Sequence, residues 1–252
     1  MAIYDKPVRV LMKEDMVKAF HLEPGKQFSK AQAVNWFGEQ YPDVKKGTVI
    51  AHLVRLSINA RSRVHYKPKP VEDDVFFQID GGHFRLYEPG QDPQPIQNAT
   101  TEKHSERLEV EEEAEPVGMS EFAYERDLQN YLVKNLELIE PGLKLYEDDG
   151  INGIEFPVGG RFIDILAVDS KGDFVVIELK VARGYDRVVG QLLRYIAWIK
   201  KEQTDPGQNV RGIIIARDIS EDLLLACSSL TSIELFEYEL SLALKLVQSC
   251  ED

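Results

Sequence analysis

The sequence predicts a two-part α/β protein: a small helical module closed by a β-hairpin, then a larger domain with a central mixed sheet flanked by helices. Three observations carry this. Residues 12–59 hold three apolar patterns of helical period, followed by VFFQID and HFRLYE. From Pro89 to Met119 the composition becomes turn-rich and acidic. Beyond it, RFIDILAVD and FVVIELKV are strong strand patterns separated only by SKGD, and a helix with one apolar face comes next.

Within the first module, the opening helix is expected over 12–21, with Met16, Val17 and Phe20 on one side. Ser29 can cap a second helix over 30–40, which Pro42 terminates. A third runs over 46–59, with Val49, Leu53 and Leu56 at helical spacing. The two strands after it meet at Gly81-Gly82, read as a two-residue hairpin turn. Helix, helix, helix, hairpin is the order of a winged helix, assigned to 1–90. Residues 91–119 read as an acidic linker. The domain over 120–252 has a helix over 120–137, weak strands at GLKLY and GIEFPV and the two strong strands. A helix over 186–201, a buried-type strand RGIIIA, a helix over 220–229 and an alternating segment over 232–247 complete it.

Charge narrows the function classes. The 252 residues carry 30 Lys and Arg against 43 Asp and Glu, a net charge of −13. Residues 1–95 hold 14 basic and 12 acidic groups, 96–120 hold 2 and 7, and 121–252 hold 14 and 24. So acidic a chain is a poor general polyanion binder; nucleic acid would have to be met by a local patch or through a cation. No apolar run is long enough to span a membrane, no apolar signal core opens the chain, and Cys227 and Cys250 lack metal-type spacing. A cytoplasmic setting is expected.

The chemistry concentrates on the two strong strands. Glu178 and Lys180 are two apart and share one face, while Ile177, Leu179 and Val181 face the other way. A carboxylate and an ammonium on a buried sheet face need compensation. A divalent cation between Asp164 and Glu178 would supply it, and oxygen ligands favour Mg²⁺ or Mn²⁺. No histidine can serve, since all five precede residue 105. For Asp164 to join that face, the connecting loop should hold an odd number of residues, or one strand should bulge. A surface salt-bridge cluster is the alternative reading of the same spacing. Glu125 falls within the apolar stripe of its helix, aimed either at this cluster or at Arg126 or Lys134. Gln191, Tyr195 and Trp198 share a flank of the later helix, with Arg187 and Arg194 beside them. That flank is either phosphate-facing or an amphipathic boundary.

GRFIDILAVDSKGDFVVIELK, followed by VVGQLLRYIAWIK, resembles the PD-(D/E)XK nucleases, and among them the nuclease domain of NucS/EndoMS-type endonucleases. ERDLQNYLVKNLELIEPGLKL resembles that family's opening helix and following turn. The resemblance covers roughly 120–245. It implies a restriction-endonuclease-like mixed sheet, with Asp164, Glu178 and the backbone carbonyl of Leu179 as metal ligands. It further implies Lys180 as the catalytic lysine, Glu125 as the acidic residue of the first helix and Gln191 as a supporting amide, with Mg²⁺ as cofactor and Mn²⁺ able to substitute. The first half departs from the family, whose mismatch enzymes carry a β-rich DNA-binding domain and often a clamp-binding tail; no such tail is expected after SCED.

Between Val44 and Val71 lie seven basic residues and no acidic ones: Lys45, Lys46, Arg55, Arg61, Arg63, Lys67 and Lys69. In a winged helix the third helix enters the major groove. Thr48, His52 and Arg55 are therefore the expected base-reading residues, with Lys45 and Lys46 on phosphate at the helix start. Arg61, Arg63, Arg187, Arg194 and Tyr195 complete the expected DNA contacts. The resulting expectation is a Mg²⁺-dependent endodeoxyribonuclease acting on double-stranded DNA as a homodimer, restriction-type or sensing a modified or damaged base. A mismatch or branched-DNA nuclease and a non-catalytic DNA-binding regulator are the alternatives.

Overall fold

The computed structural model describes residues 4–96, 119–180 and 186–239. Most of the acidic linker, Val181 and residues 240–247 of the alternating segment lie outside them.

The first helical stretch starts earlier than the apolar pattern suggests. It comprises α1 (Val8–Leu11), a π-helical stretch Met12–Met16 and α2 (Val17–Ala19). β1 (Gln27–Ser29) leads directly into α3 (Lys30–Gln40). Ser29 caps α3 as expected: its Oγ accepts from the Gln32 N–H, and the Gln32 side chain accepts from the Ser29 N–H, a reciprocal capping box. α4 (Lys46–Leu56) follows, then a 3₁₀ turn Arg61–Tyr66, β2 (Phe76–Gln78) and β3 (His83–Leu86). The strands form an antiparallel sheet in the order β1-β3-β2 around Phe28, Phe76 and Phe84. The hairpin is not joined by two residues. Gln78 pairs with Phe84 and the Ile79 N–H donates to the His83 carbonyl, so the loop is Asp80–Gly82. Asp80 Oδ1 sets that length by accepting from the N–H groups of both Gly82 and His83.

The second part contains α5 (Met119–Lys134), a 3₁₀ turn Leu136–Leu138, β4 (Lys144–Leu145), β5 (Glu147–Asp148), β6 (Ile151–Asn152) and β7 (Ile154–Val158). It continues with β8 (Arg161–Val168), β9 (Phe174–Lys180), α6 (Asp186–Glu202), β10 (Val210–Ala216), α7 (Glu221–Cys227) and β11 (Ile233–Glu237). The sheet order is β11-β10-β9-β8-β4, with β7 also on β8. β9, β10 and β11 are parallel, and β8 is antiparallel to its neighbours, so the sheet is mixed. Ile165, Ile177, Leu179, Ile213 and Ile215 pack against Leu128 and Leu132 of α5 and Leu136 of the 3₁₀ turn after it. Leu166, Phe174, Val176 and Ile214 pack on the other face under Val188, Leu192 and Ile196 of α6. Leu193 of the same helix is 37% exposed.

Val168 pairs with Phe174 and Ile165 with Ile177, leaving the five-residue turn Asp169–Asp173 between β8 and β9. The odd loop brings Asp164 level with Glu178. Asp169 closes the turn, its Oδ1 accepting from the N–H groups of Lys171 and Asp173.

The two parts share an apolar cluster. Ala51, Val54, Ala60 and Tyr66 lie in the same buried cluster as Tyr146, Ile151 and Phe156. α4 approaches closely because Gly47 has no side chain: a Cβ there would stand 2.9 Å from Phe156 Cζ. The β5–β6 hairpin meets α4 through its two-residue turn, Asp149-Gly150, in which both residues have positive φ, 47° and 79°. No helix among the described residues is long and apolar enough to cross a membrane.

Candidate active site

β8 and β9 bring Asp164, Glu178 and Lys180 together, and the flanking helices add Glu125 and Gln191. Asp164 turns its carboxylate across the strand ends, Oδ2 accepting from the Leu179 N–H at 2.8 Å. Lys180 Nζ donates to Glu178 Oε1 at 3.0 Å and lies 3.9 Å from Glu125 Oε1. From α6, Gln191 Nε2 donates to Glu178 Oε1 at 2.5 Å and to the Tyr195 hydroxyl at 3.1 Å. All five expected site residues therefore converge.

The electrostatics are those of an acidic pocket in a dry wall. Glu178 is 0% exposed. Loss of water pushes its carboxyl up to about 8, the Asp164 charge adds to this, and Lys180 opposes it. Burial works against the Lys180 ammonium too, but Glu178, Asp164 and Glu125 outweigh it and raise its value. Burial likewise raises the Tyr195 hydroxyl well above its ordinary value. Glu178 Oε2 is buried with no hydrogen-bond partner.

That orphaned oxygen tests whether the pocket suits a cation. Among the described residues no group of three or more His, Cys, Asp or Glu side chains forms a metal cluster. An ion here would rest on the carboxylates of Asp164 and Glu178 and on backbone oxygen. Hard oxygen donors with one unsatisfied anionic atom fit a divalent cation such as Mg²⁺, which keeps several waters.

Further residues shape the site without standing out in the sequence. Gln129, one turn beyond Glu125 on α5, is buried and donates to the Asp164 carbonyl at 2.8 Å and to Glu155 Oε1 at 3.3 Å. Arg161 is exposed at the start of β8 and acts on the Tyr195 hydroxyl through its charge. The available signals were the position of Gln129 beside Leu128 of the apolar stripe and the basic residue in GRFIDIL.

The expected DNA-reading set is largely turned inward. Thr48 is 1% exposed, and its Oγ1 donates to Asp148 Oδ2 at 2.6 Å. His52 is 0% exposed, with Nε2 3.3 Å from Asp149 Oδ2. Arg55 is buried, donating to Asp73 Oδ2 and to the Gly150 carbonyl. None of the three faces outward, because α4 packs against the second part on one side and its own module on the other. Lys45 pairs with Asp205 and Lys46 with Glu202, while the Gly47 N–H donates to Gln203 Oε1, so the helix start faces the end of α6. Arg63 is buried and paired with Asp74. Tyr195 is also buried, a wall of the pocket rather than an outward flank. Arg61, Arg187 and Arg194 are exposed.

An open mixed sheet gathers an Asp, a Glu and a Lys on neighbouring strands, backed by helix carboxylate and amide groups, which defines an α/β domain with a clustered acidic and basic site. Residues 124–234 match the family model described as Endonuclease NucS C-terminal domain, and 7–86 match one described as Domain of unknown function (DUF7669). Endonuclease NucS of Pyrococcus abyssi is 29% identical over 197 residues, 66% of this chain and 74% of that protein. The Sulfolobus acidocaldarius Endonuclease NucS is 30% identical over 136 residues, 50% of each chain. In most of these matches the chain spans about half or less of the relative's length. Among solved structures, a repair endonuclease from Pyrococcus abyssi aligns with 27% identity and a TM-score of 0.38, covering 51% of this chain and 50% of that one. EndoMS in its apo form aligns with 25% identity and a TM-score of 0.37, covering 51% and 49%. The C-terminal half of the chain is thus similar to the C-terminal domain of the NucS endonucleases.

Proposed function

We propose that this chain is a divalent-cation-dependent endodeoxyribonuclease of the PD-(D/E)XK type. One observation carries the reading: the fully buried Glu178 keeps a carboxylate oxygen without a partner beside Asp164 and Lys180. Asp164 and Glu178, with the Leu179 backbone carbonyl as third donor, would hold Mg²⁺, and Mn²⁺ in its place. When bound, such an ion stabilises charge on a phosphoryl oxygen and acidifies its water. The chain's own groups do the rest. Lys180 presents an ammonium to the charge that develops on the scissile phosphate. Gln191 places both amide hydrogens on Glu178 Oε1 and Tyr195, which fixes the Glu178 carboxylate. Glu125 holds Lys180 from the α5 side.

The duplex would meet the exposed cations of β8 and α6, Arg161, Arg187 and Arg194. We assign the N-terminal module to the winged-helix class from its element order. Its α4 serves the joint, so its DNA contacts fall to exposed residues of the 3₁₀ turn and the stretch after it, Arg61, Lys67 and Lys69. Cutting both strands needs two such pockets, hence a homodimer, and we place the enzyme in the cytoplasm, sensing modified or damaged bases.

The test is incubation of the purified chain and Mg²⁺ with plain, methylated, hydroxymethylated, deaminated, mismatched and branched DNA, and with RNA. At least one DNA is expected to be cut, with cleavage lost in chelator and in Asp164→Ala while binding persists. Cleavage undiminished by Asp164→Ala, or no cleavage of any DNA, overturns the proposal; cleavage of RNA alone reassigns the substrate.

A further inference from the structure

Asp164 sits at a break in its sheet. β7 and β8 pair at Ile154↔Ile165 and Phe156↔Ile163, but the positions between them, Glu155 and Asp164, are not ladder partners. Glu155 has φ +49°, an uncommon conformation for a residue with a side chain, which persists where its surroundings over-determine it. Its surroundings here come from both halves of the chain. The Tyr66 hydroxyl, from the 3₁₀ turn of the N-terminal module, donates to the Glu155 carbonyl at 3.1 Å. Gln129 of α5 donates to the Glu155 carboxylate.

The same Gln129 amide donates to the Asp164 carbonyl at 2.8 Å. A primary amide has two hydrogens, and both are directed here at groups that cannot donate in return: a carbonyl and a carboxylate. The orientation of Gln129 is thereby determined, and with it the backbone of Asp164, whose own carboxylate reaches across to the Leu179 N–H. Tyr66 and Gln129 are each almost fully buried, so water competes poorly for these bonds.

We infer that Tyr66 and Gln129 are positioning residues: through Glu155 they clamp the backbone that aims the Asp164 carboxylate, so the N-terminal module sets the geometry of the proposed cation site. This deepens the nuclease reading and rests on it. The module is then part of the active-site scaffold rather than a tethered reader.

The experiment is calorimetric titration of the full chain with Ca²⁺, which takes oxygen ligands and permits a readout independent of cleavage, alongside the Mg²⁺ dependence of any cleavage. Gln129→Leu is expected to weaken Ca²⁺ binding by about 10- to 100-fold, the usual effect of removing a group that orients a ligand. Tyr66→Phe, which deletes one oxygen, is expected at about tenfold, the lower end of that range. Both should raise the Mg²⁺ needed for half-maximal cleavage far more than they lower the rate at saturating Mg²⁺, a split that general destabilisation would not produce. If Gln129→Leu fails to fold, Tyr66→Phe decides alone. Parental Ca²⁺ affinity and Mg²⁺ dependence in folded variants overturn the clamp. Asp164→Ala separates the two levels. If it loses Ca²⁺ while Tyr66→Phe and Gln129→Leu do not, only the clamp fails; if it too binds like the parent, the cation site itself fails.

Discussion

Thr48 of α4 and Asp148 of the β5–β6 hairpin, 100 residues apart in the chain, are joined by a 2.6 Å hydrogen bond. With His52 on Asp149 and Arg55 on Gly150, three successive residues of the hairpin engage one face of α4. A helix whose polar residues are used in this way is a joint between the two parts. Arg55→Ala would leave the buried Asp73 carboxylate with Arg9 as its remaining ion-pair partner. The expected cost is about 3 kcal/mol in denaturant unfolding, the lower end for a broken buried pair. Discrimination among duplexes should not change. Altered base preference at parental stability would instead return α4 to the role of a reading helix.

His52 gives the joint a pH dependence. It is faced by Asp149, Asp148 and Arg55; burial lowers its value below 6.5 and outweighs the pull of Asp149. Below pH 6.5 the unfolded chain therefore binds more protons at this position than the folded one. Stability should fall as the pH drops below that point, by up to about 1.4 kcal/mol per pH unit. Melting at pH 7.5 and 5.5 measures this, and His52→Leu should lose less across the interval than the parent. Equal losses would remove His52 as the cause.

Glu178 acts in the opposite direction. Its carboxyl is raised from 4.5 to about 8, so between those values the unfolded state ionises first and the metal-free fold loses stability as pH rises. Glu178→Gln removes the ionisable group. It should melt higher than the parent at pH 8 in chelator and yet fail to bind a divalent cation or to cleave. Cation binding by the parent should strengthen from pH 6.5 to 8 and release protons, since the ligand must be deprotonated. A pH-independent affinity, or a Glu178→Gln protein less stable than the parent at pH 8, would contradict this account.

Arg187 and Arg194 lie exposed on α6. If each meets a phosphate, replacing either with Ala should weaken binding of all duplexes alike and reduce the slope of log affinity against log salt by about 1. Unchanged slopes would place the duplex elsewhere.

Much of the site was legible because it is written into a period. Glu178 and Lys180 two apart on an apolar strand can only share a face, and the odd five-residue turn from Asp169 to Asp173 follows from requiring Asp164 to join them. Ser29 announced its helix because capping is a local bond. What misled was α4, whose Lys46, Thr48, His52 and Arg55, with Lys45 just before it, look like an exposed basic face. Nothing within a single helix distinguishes polar atoms reserved for water from those reserved for a hairpin 100 residues away. The Asp-Asp-Gly at 148–150 signals a tight turn, but not what the turn will touch. Gln129 and Tyr66 were missed for the same reason: a buried amide and a buried phenol take their meaning from partners that adjacency does not supply.

The sequence by itself therefore determined the β2–β3 pair and the long sheet strands but not the short β1, β5 and β6, together with most helix limits, the acidic pair with its lysine and the charge that disfavours general polyanion binding. These depend on contacts within a few residues or on the two-residue period of a strand. Tertiary structure alone decided that the N-terminal module packs into the second part, that its third helix faces inward, and that Glu178 keeps an oxygen without a partner. Burial and the pairing of distant polar groups are properties of a closed surface, and a surface exists only once the chain has folded.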